Sequence, residues 1–231
     1  MSETPNPVFQ SQALFVIDVQ QGLITGPEAV PDAIQVRQAI HDVLESVRHH
    51  NDTVQRNNKS SKRIRIFFVQ HNDKDPDDPM YKGKPTWELM FSPRKDDDAE
   101  ILVFKDVGTS CFPLPKVKIV SSQRLKVEAQ IRLGNIFASN AQLAPELRRQ
   151  GITRMAVTGL QSDCCVRASI RGAIGSGFEA AGTTLLQGAH STYDAVDASR
   201  SYARIKRDVE EEMAGLGVRL QGWRDFAHLD M

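Results

Sequence analysis

The sequence predicts an α/β protein: a three-layer, Rossmann-like domain with a mostly parallel central sheet of about six strands, flanked by helices. Short apolar runs that suit buried strands alternate along the chain with segments of helical spacing. This alternation is typical of β-α-β units, whose right-handed crossovers place parallel strands in one sheet. Neither an internal repeat nor a linker argues for a second domain, so residues 1–231 are predicted to form a single domain.

The strand-like runs are short and apolar, and several end in a polar residue. The first runs from Ala13 to Asp18 and suits a strand that is buried on both faces. Further strands are predicted at 63–71, 100–105, 155–157, 179–187 and 218–220. Helices are predicted where apolar residues recur at helical spacing, at 31–50, 138–150, 164–176 and 195–214.

Three polar segments fall outside this alternation. Residues 1–12 read as a polar tail, and the run at 51–62 reads as an exposed loop. Residues 113–134 read as an insertion that holds a basic amphipathic segment. The insertion lacks interleaved aromatic residues, so it indicates an exposed segment or an oligomer contact rather than a nucleic-acid site.

Composition excludes several classes of function. The 29 basic and 29 acidic residues cancel, so nothing in the charge calls for nucleic acid or an anionic membrane. The N-terminus lacks the apolar stretch of a signal peptide, and no run is long enough to span a bilayer. Three cysteines, two of them adjacent, make a poor disulfide framework and favour a reduced, cytoplasmic setting.

The most informative stretch is 153–169, where an apolar run meets Gly159, a polar turn, and then Cys164 and Cys165 at the start of a helical segment. A cysteine in the first turn of a helix faces unpaired N–H groups and the positive end of the helix dipole, which lower a thiol pKa. Such a turn lies at the carboxyl edge of a parallel sheet, where ligands bind. The pattern suggests a nucleophile elbow, although two small apolar side chains could equally fill a core.

Two other strand ends carry charge. Asp18 closes the first predicted strand and Lys105 closes the third. Because the carboxyl ends of parallel strands emerge at one edge of the sheet, both residues can converge on the cysteine turn. Each alone has an ordinary interpretation as a loop contact or a solvated charge. Together they supply a nucleophile, a proton carrier and a fixed positive charge, which is the equipment for acyl transfer through a covalent intermediate.

These motifs resemble the isochorismatase-like cysteine hydrolases, a family that includes nicotinamidases, N-carbamoylsarcosine amidohydrolases and ureidoacrylate or biuret hydrolases. The resemblance rests on Asp-Val-Gln at 18–20, on Lys105 after Ile-Leu-Val-Phe, and on Gly-Leu-Gln-Ser-Asp-Cys-Cys-Val at 159–166. The segment at 82–89 and Gly-Ala-His-Ser-Thr at 188–192 add support. The match spans roughly residues 13–220, apart from the insertion.

The resemblance implies a triad of Asp18, Lys105 and Cys165. The family motif has cysteine directly followed by valine, which selects Cys165 over Cys164. Asp18 would then carry the proton and Lys105 would hold the charges in register. Cys164 reads as a packing residue with a minor alternative of oxidative pairing, and Cys111 reads as a structural residue.

The resemblance also implies the groups that bind the reacting carbonyl. The oxyanion would be held by the backbone N–H groups of Gln161 and Cys165, and the family has a cis peptide bond at the position of Leu160-Gln161 here. Five residues are candidates for the substrate pocket, and the three aromatic ones could equally be core; they are Gln20, His71, Trp87, Phe112 and Phe137.

No metal and no cofactor are expected. The Asp-x-His pair and second histidine that bind metal in nicotinamidases are not reproduced at 70–75, which reads Gln-His-Asn-Asp-Lys-Asp. A homo-oligomer, either a dimer or a tetramer, is expected from the family by analogy.

The predicted function is a cysteine-dependent hydrolase of a small carboxamide or ureido C–N bond, which proceeds through a thioester. Two alternatives remain open. One is an isochorismatase-type vinyl-ether hydrolase, whose chemistry does not use the cysteine. The other is a non-enzymatic binding or thiol-sensing protein in which the Cys164–Cys165 pair is the working element.

Overall fold

The computed structural model describes residues 12–57, 63–106 and 134–227. Six parallel strands form one sheet in the order β3-β2-β1-β4-β5-β6. They are β1 Gln12–Ile17, β2 Arg65–Asn72, β3 Glu100–Asp106, β4 Arg154–Leu160, β5 Thr183–Ser191 and β6 Arg219–Gly222. The predicted fold class, an α/β protein with a parallel sheet flanked by helices, is confirmed.

Seven α-helices lie in the described ranges. They are α1 Gln21–Ile24, α2 Ala33–Arg56, α3 Ile136–Ser139, α4 Leu143–Arg149, α5 Arg167–Gly175, α6 Tyr202–Gly215 and α7 Trp223–Ala227. A π-helical turn, Ser162–Val166, precedes α5, and single 3-10 turns cover Pro85–Trp87 and Ala180–Gly182. Within these ranges, none of the helices combines the length and the apolar character that a bilayer crossing requires.

The central strands are buried on both faces because helices cover each side of the sheet, whereas the edge strands β3 and β6 are partly exposed. On β1, Leu14 and Val16 pack with the apolar stripe of α2, whereas Phe15 and Ile17 pack with the elements that surround α4 and α5. Phe15 stacks on Phe67 of the neighbouring strand, with ring centroids 4.8 Å apart. The continuous apolar runs of the sequence therefore correspond to strands between two cores, as the alternation predicts.

The predicted loop at 51–62 is wrong for its first six residues, because α2 continues to Arg56. Asn51 is buried there, and its side-chain amide exchanges two hydrogen bonds of 2.8 Å with the backbone of Ile64. Val54 continues the buried face of the helix. The polar composition of residues 51–56 therefore did not indicate a helix. Asn51 is buried because it hydrogen-bonds the backbone of Ile64, which directly precedes β2.

Several boundaries in the second half of the chain also differ from the prediction. The segment predicted as one helix at 138–150 is two helices, α3 and α4, and the Asn135 side chain caps α3 by accepting hydrogen bonds from two backbone N–H groups. The strand predicted at 179–187 begins at Thr183 and runs to Ser191. The helix predicted from residue 195 begins at Tyr202, capped by Ser201. Helix α7 was not predicted, and the insertion lies outside the described residues apart from Gly134.

Candidate active site

The site is built where the strand order reverses. Strands β1 and β4 are neighbours, and their connections leave the sheet in opposite directions, which opens a crevice at their carboxyl ends. Asp18 directly follows β1 and adopts a φ of 49°, an uncommon conformation for a residue other than glycine. Cys165 follows β4. Residues 147 positions apart in sequence thus meet at one edge of the sheet.

Gly159 allows β4 to lie against β1 at this edge. Its φ is 124°, and a Cβ atom at this position would lie 2.1 Å from the backbone oxygen of Ile17. Only glycine satisfies both conditions. The glycine of the elbow motif therefore serves the approach of the two strands that carry Asp18 and Cys165.

Cys165 lies in the π-helical turn, not in the first turn of a regular helix. The carbonyl of Gln161 accepts hydrogen bonds from the N–H groups of Cys164 (3.2 Å) and Val166 (3.1 Å), the residues on either side of Cys165. The peptide bond between Leu160 and Gln161 is cis. This turn presents the thiol of Cys165 to the cavity between the ends of β1 and β4.

Lys105 reaches Asp18 across the end of β2. Both side chains are buried, and the Lys105 ammonium forms an ion pair with Oδ2 of Asp18. Burial alone would lower the pKa of Lys105, but Asp18 and Cys165 raise it overall. Lysine at this position is therefore a fixed positive charge, and both charged groups interact with the Cys165 thiol.

The pKa of the Cys165 thiol is raised to about 12, chiefly by burial, although Lys105 opposes the shift. Asp18 raises this pKa further by charge repulsion with a thiolate. The expectation of a lowered pKa at a helix N-terminus is therefore wrong, because loss of solvent outweighs the backbone dipoles. The resting group is a thiol, and its reaction needs a base.

His71 lies beside the triad at the end of β2. Its side chain is buried, and burial together with the charge of Lys105 lowers its pKa. Nε2 of His71 lies 3.6 Å from Oδ2 of Asp73, beyond hydrogen-bond length. Neither ring nitrogen has a hydrogen-bond partner among the described residues, and the ring borders the cavity. A neutral imidazole at this place can donate or accept a hydrogen bond from a bound molecule.

Gln20 does not line the cavity, in contrast to its prediction as a pocket residue. It is fully buried, and its amide nitrogen donates to the backbone oxygens of His71 (3.1 Å) and Trp87 (2.7 Å). Its amide oxygen accepts from the backbone N–H of His71 at 2.9 Å. Because its amide is occupied by the backbone, Gln20 positions His71 and the segment around Trp87.

The predicted aromatic wall is not assembled by the described residues. Phe137 packs between Phe15 and Phe178 in the core, with ring centroids 6.2 and 6.0 Å apart. The indole of Trp87 stacks on Phe104 with ring centroids 6.4 Å apart, and Trp87 is not among the residues that border the cavity. Phe112 lies outside the described residues. The wall is instead aliphatic: it includes Leu160 of the cis peptide bond and two residues that the sequence did not single out, Leu23 and Met80.

The two adjacent cysteines differ in state. Cys165 is a buried thiol outside any disulfide, whereas Cys164 is disulfide-bonded. The two sulfur atoms are 3.9 Å apart and are not bonded to each other. Cys164 packs against the core, as the sequence suggested, and its disulfide is the oxidative pairing given there as the minor alternative, but the partner is not Cys165.

Comparison with known proteins places this geometry in a family. The model of the isochorismatase domain matches residues 12–212. The chain belongs to the isochorismatase family. A streptothricin hydrolase from Streptomyces noursei is 28% identical over 183 residues, which cover 79% of this chain and 55% of that protein. The chain thus spans about half the length of the curated relatives it matches.

Solved structures of the isochorismatase family share the fold. The N-carbamoylsarcosine amidase from Thermoplasma acidophilum superposes with a TM-score of 0.59 at 18% identity, covering 93% of this chain and 97% of that one. The pyrazinamidase of Pyrococcus horikoshii, solved in complex with zinc, gives a TM-score of 0.58 at 18% identity, covering 92% and 99% of the two chains. These relatives are hydrolases named for amide substrates.

The described part of the chain offers few ligands for such a metal. His71 and Asp73 supply two donors near the thiol, but no group of three or more His, Cys, Asp or Glu side chains converges there or elsewhere in the described ranges. Zinc sites in proteins ordinarily use at least three protein ligands. The two donors, His71 and Asp73, do not make up such a set.

Proposed function

We propose that this protein is a cysteine-dependent hydrolase of small carboxamides or ureido compounds, which acts through a thioester on Cys165. The observation that carries the proposal is the interaction of the buried Cys165 thiol with a buried Asp18–Lys105 ion pair beside a cavity. Burying two charges costs several kcal/mol even when they pair, and this cost points to a chemical role.

The first half of the reaction transfers an acyl group to sulfur. Asp18 takes the proton of the Cys165 thiol, and the thiolate attacks the carbonyl carbon of the amide. Lys105 remains charged and offsets the negative charge that passes from carboxylate to sulfur. The thiol pKa of about 12 makes the base necessary, since almost no thiolate forms unaided at neutral pH.

The oxyanion would be held by the backbone N–H groups of Gln161 and Cys165. Support comes from the turn that carries them, where the neighbouring N–H groups of Cys164 and Val166 both converge on the Gln161 carbonyl. Preorganised donors of this kind are typically worth ~10²–10³ in rate for each donor. Asp18 then gives its proton to the leaving nitrogen, and the C–N bond breaks.

The second half regenerates the enzyme. Water enters where the amine left, Asp18 takes one of its protons, and hydroxide attacks the thioester carbonyl. The C–S bond breaks, the acid product leaves, and the proton held by Asp18 returns to the sulfur. One water is consumed for each amide cleaved, and no other reactant is needed.

His71 and the aliphatic wall would select the substrate. A neutral imidazole suits an uncharged polar group, while Leu23, Met80 and Leu160 suit a small apolar body. We therefore propose small, neutral amides or ureides as substrates. Further copies of this chain are proposed as its partners, and light scattering in solution would measure the oligomeric state.

A screen for hydrolysis tests the function. Nicotinamide, pyrazinamide, carbamoylsarcosine, ureidoacrylate and biuret would be assayed for ammonia release, and streptothricin for a mass gain of one water. We expect turnover of at least one compound by the wild type and none by Cys165→Ala. Cleavage of isochorismate that survives Cys165→Ala would instead identify the vinyl-ether hydrolase, and hydrolysis of none of these compounds would contradict the amide proposal.

A further inference from the structure

A second buried polar network, formed by Ser162, His190 and Glu210, lies directly behind the cysteine turn. Nδ1 of His190 lies 2.8 Å from Oγ of Ser162, and Nε2 lies 3.2 Å from Oε1 of Glu210. Ser162 and His190 are fully buried. The reaction proposed above uses none of the three, although burying such groups is costly unless they are paired.

The carboxylate determines the direction of the hydrogen bonds. The pKa of Glu210 lies below its usual value: burial acts against ionisation, but hydrogen bonds from His190 and Gln187 outweigh it. An ionised carboxylate only accepts, so Nε2 of His190 carries the proton. A ring that carries its proton on Nε2 alone can accept at Nδ1 a hydrogen bond from the Ser162 hydroxyl, which lies 2.8 Å away.

This network resembles a serine–histidine–acid triad but cannot act as one. The Ser162 hydroxyl is fully buried and borders no described cavity, so no substrate carbonyl reaches it. Its only hydrogen bond among the described side chains is the one to His190. The network therefore holds structure in place.

Ser162 is the first residue of the π-helical turn that carries Cys165. It follows Gln161 directly and opens the π-helical turn that ends at Val166. The next residue, Asp163, accepts a hydrogen bond of 2.5 Å from the Thr192 hydroxyl, so two successive residues of the turn are tied to the end of β5. His190 is itself held opposite Gly159 by the pairing of β4 with β5.

We propose that Ser162 and His190 are positioning residues for the oxyanion-binding N–H groups of Gln161 and Cys165, with Glu210 holding the His190 ring in the required tautomer. This proposal rests on the proposed function for the identity of the nucleophile. Oxyanion donors must lie about 2.7–3.1 Å from the developing charge. A misplacement of about 1 Å can cost ~10²-fold in rate, so a fixed start of the turn matters to catalysis.

Two reagents that react with Cys165 distinguish a misplaced oxyanion-binding site from a general loss of structure. Propionaldehyde adds to the Cys165 thiol: the S–C bond forms, the C=O double bond opens, and the thiol proton ends on oxygen to give a thiohemiacetal. That adduct places an oxygen between the oxyanion donors, whereas alkylation by iodoacetamide does not. Aldehyde affinity, measured as protection of Cys165 from iodoacetamide, therefore reports the donors, and the alkylation rate alone reports the thiol.

The variants are Ser162→Ala and His190→Leu, with Ser169→Ala as a matched control that removes another buried serine hydroxyl. We expect Ser162→Ala and His190→Leu to lose ~10–100-fold in aldehyde affinity and in kcat on an amide substrate, with KM and the alkylation rate within about threefold of wild type. His190→Asn, whose amide oxygen can accept from Ser162, should recover part of the loss.

Equal aldehyde affinity in Ser162→Ala and the wild type would overturn the proposal. So would a wild type that propionaldehyde does not protect, because no donors would then be in place. Hydrolysis by Cys165→Ala is measured separately. Its persistence would remove the proposed function, whereas a failure of the serine and histidine variants alone would leave that function standing.

Discussion

At the scale of single residues, the site depends on how burial and charge act on one thiol. Burial raises the pKa of Cys165 to about 12, Lys105 lowers it and Asp18 raises it. A thiol in this environment is almost fully protonated at neutral pH, so its attack on a bound amide needs the adjacent carboxylate to remove the proton. Because Asp18 and Lys105 control the proton of Cys165, the thiol can react with a substrate bound beside them while it stays largely unreactive toward other electrophiles.

Replacing Asp18 by Asn should change these two reactivities in opposite directions. Hydrolysis should fall by ~10²–10⁴-fold, because the proton carrier is lost. Alkylation of Cys165 by iodoacetamide at pH 7 should become faster, because removing the negative charge lowers the thiol pKa while Lys105 remains. Mass spectrometry of the alkylated peptide measures the rate, with Cys165→Ala as the control. Slower alkylation in Asp18→Asn would contradict this account of the pKa.

His71 should make stability depend on pH. Its pKa is lowered in the folded protein, first by burial and then by Lys105, whereas the unfolded value is about 6.5. As pH falls through about 6.5 toward the folded value, the unfolded chain binds more protons, so the contribution of His71 to stability is full above this range and lost below it. Urea denaturation of the wild type and His71→Gln between pH 5 and 8 measures the difference, and parallel pH profiles would refute the assignment.

At the scale of elements, the contact between β1 and β4 sets the distance between base and nucleophile. Gly159→Ala should destabilise the fold by roughly 3 kcal/mol or more, because the new methyl group meets the Ile17 backbone and the φ of 124° is strained. Gly175→Ala is the matched control, since a Cβ there meets nothing within 4 Å and helix α5 gains from alanine. Urea unfolding of both variants measures the free energy of unfolding. A Gly159→Ala variant as stable as the wild type would contradict this account of the β1–β4 contact.

Elements were predictable from sequence where apolar runs decide them. The strand before Asp18, the strand that contains Lys105 and the strand before the elbow were located to within a few residues. The extension of α2 was not, because Asn51 is polar in sequence but bonds to Ile64 in the fold. The shift of β5 also escaped prediction, since its carboxyl end, Gly188–Ser191, carries small and polar residues that do not read as a strand.

The candidate site was predictable only in part. Residue types at strand ends named Asp18, Lys105 and Cys165 as a set, and the structure brings them together. The direction of the Cys165 pKa shift could not be predicted from the sequence, because it depends on how completely the fold excludes water from the thiol. Leu23 lies on the short helix α1 and Met80 lies between β2 and β3, and no apolar periodicity in the sequence indicates that either residue borders the cavity.

At the scale of the whole molecule, the order β3-β2-β1-β4-β5-β6 explains why three distant residues form one site. Lys105 on an outer strand reaches over β2 to Asp18, while the reversal of strand order opens the crevice that Cys165 enters. The Asp18–Lys105 ion pair therefore connects the edge strand β3 to the reaction centre. Its effect on the stability of the fold and its effect on hydrolysis can be measured separately.

Breaking this pair should cost more than removing it. Lys105→Met leaves the buried Asp18 carboxylate without its cation and should destabilise the fold by about 3–5 kcal/mol. Adding Asp18→Asn to that variant should recover much of the stability but none of the hydrolysis. Urea unfolding and an amide assay measure the two effects. A double variant no more stable than Lys105→Met would argue against a charge-pair origin.

The most direct test of the central claim is to trap the acyl group on sulfur. The wild type would be mixed with an amide that it hydrolyses, quenched in acid within a turnover, digested, and analysed by mass spectrometry. We expect the peptide that contains Cys165 to carry the acyl group of the substrate, and the adduct to disappear on treatment with hydroxylamine. Full hydrolysis by Cys165→Ala, with no adduct in the wild type, would contradict the account.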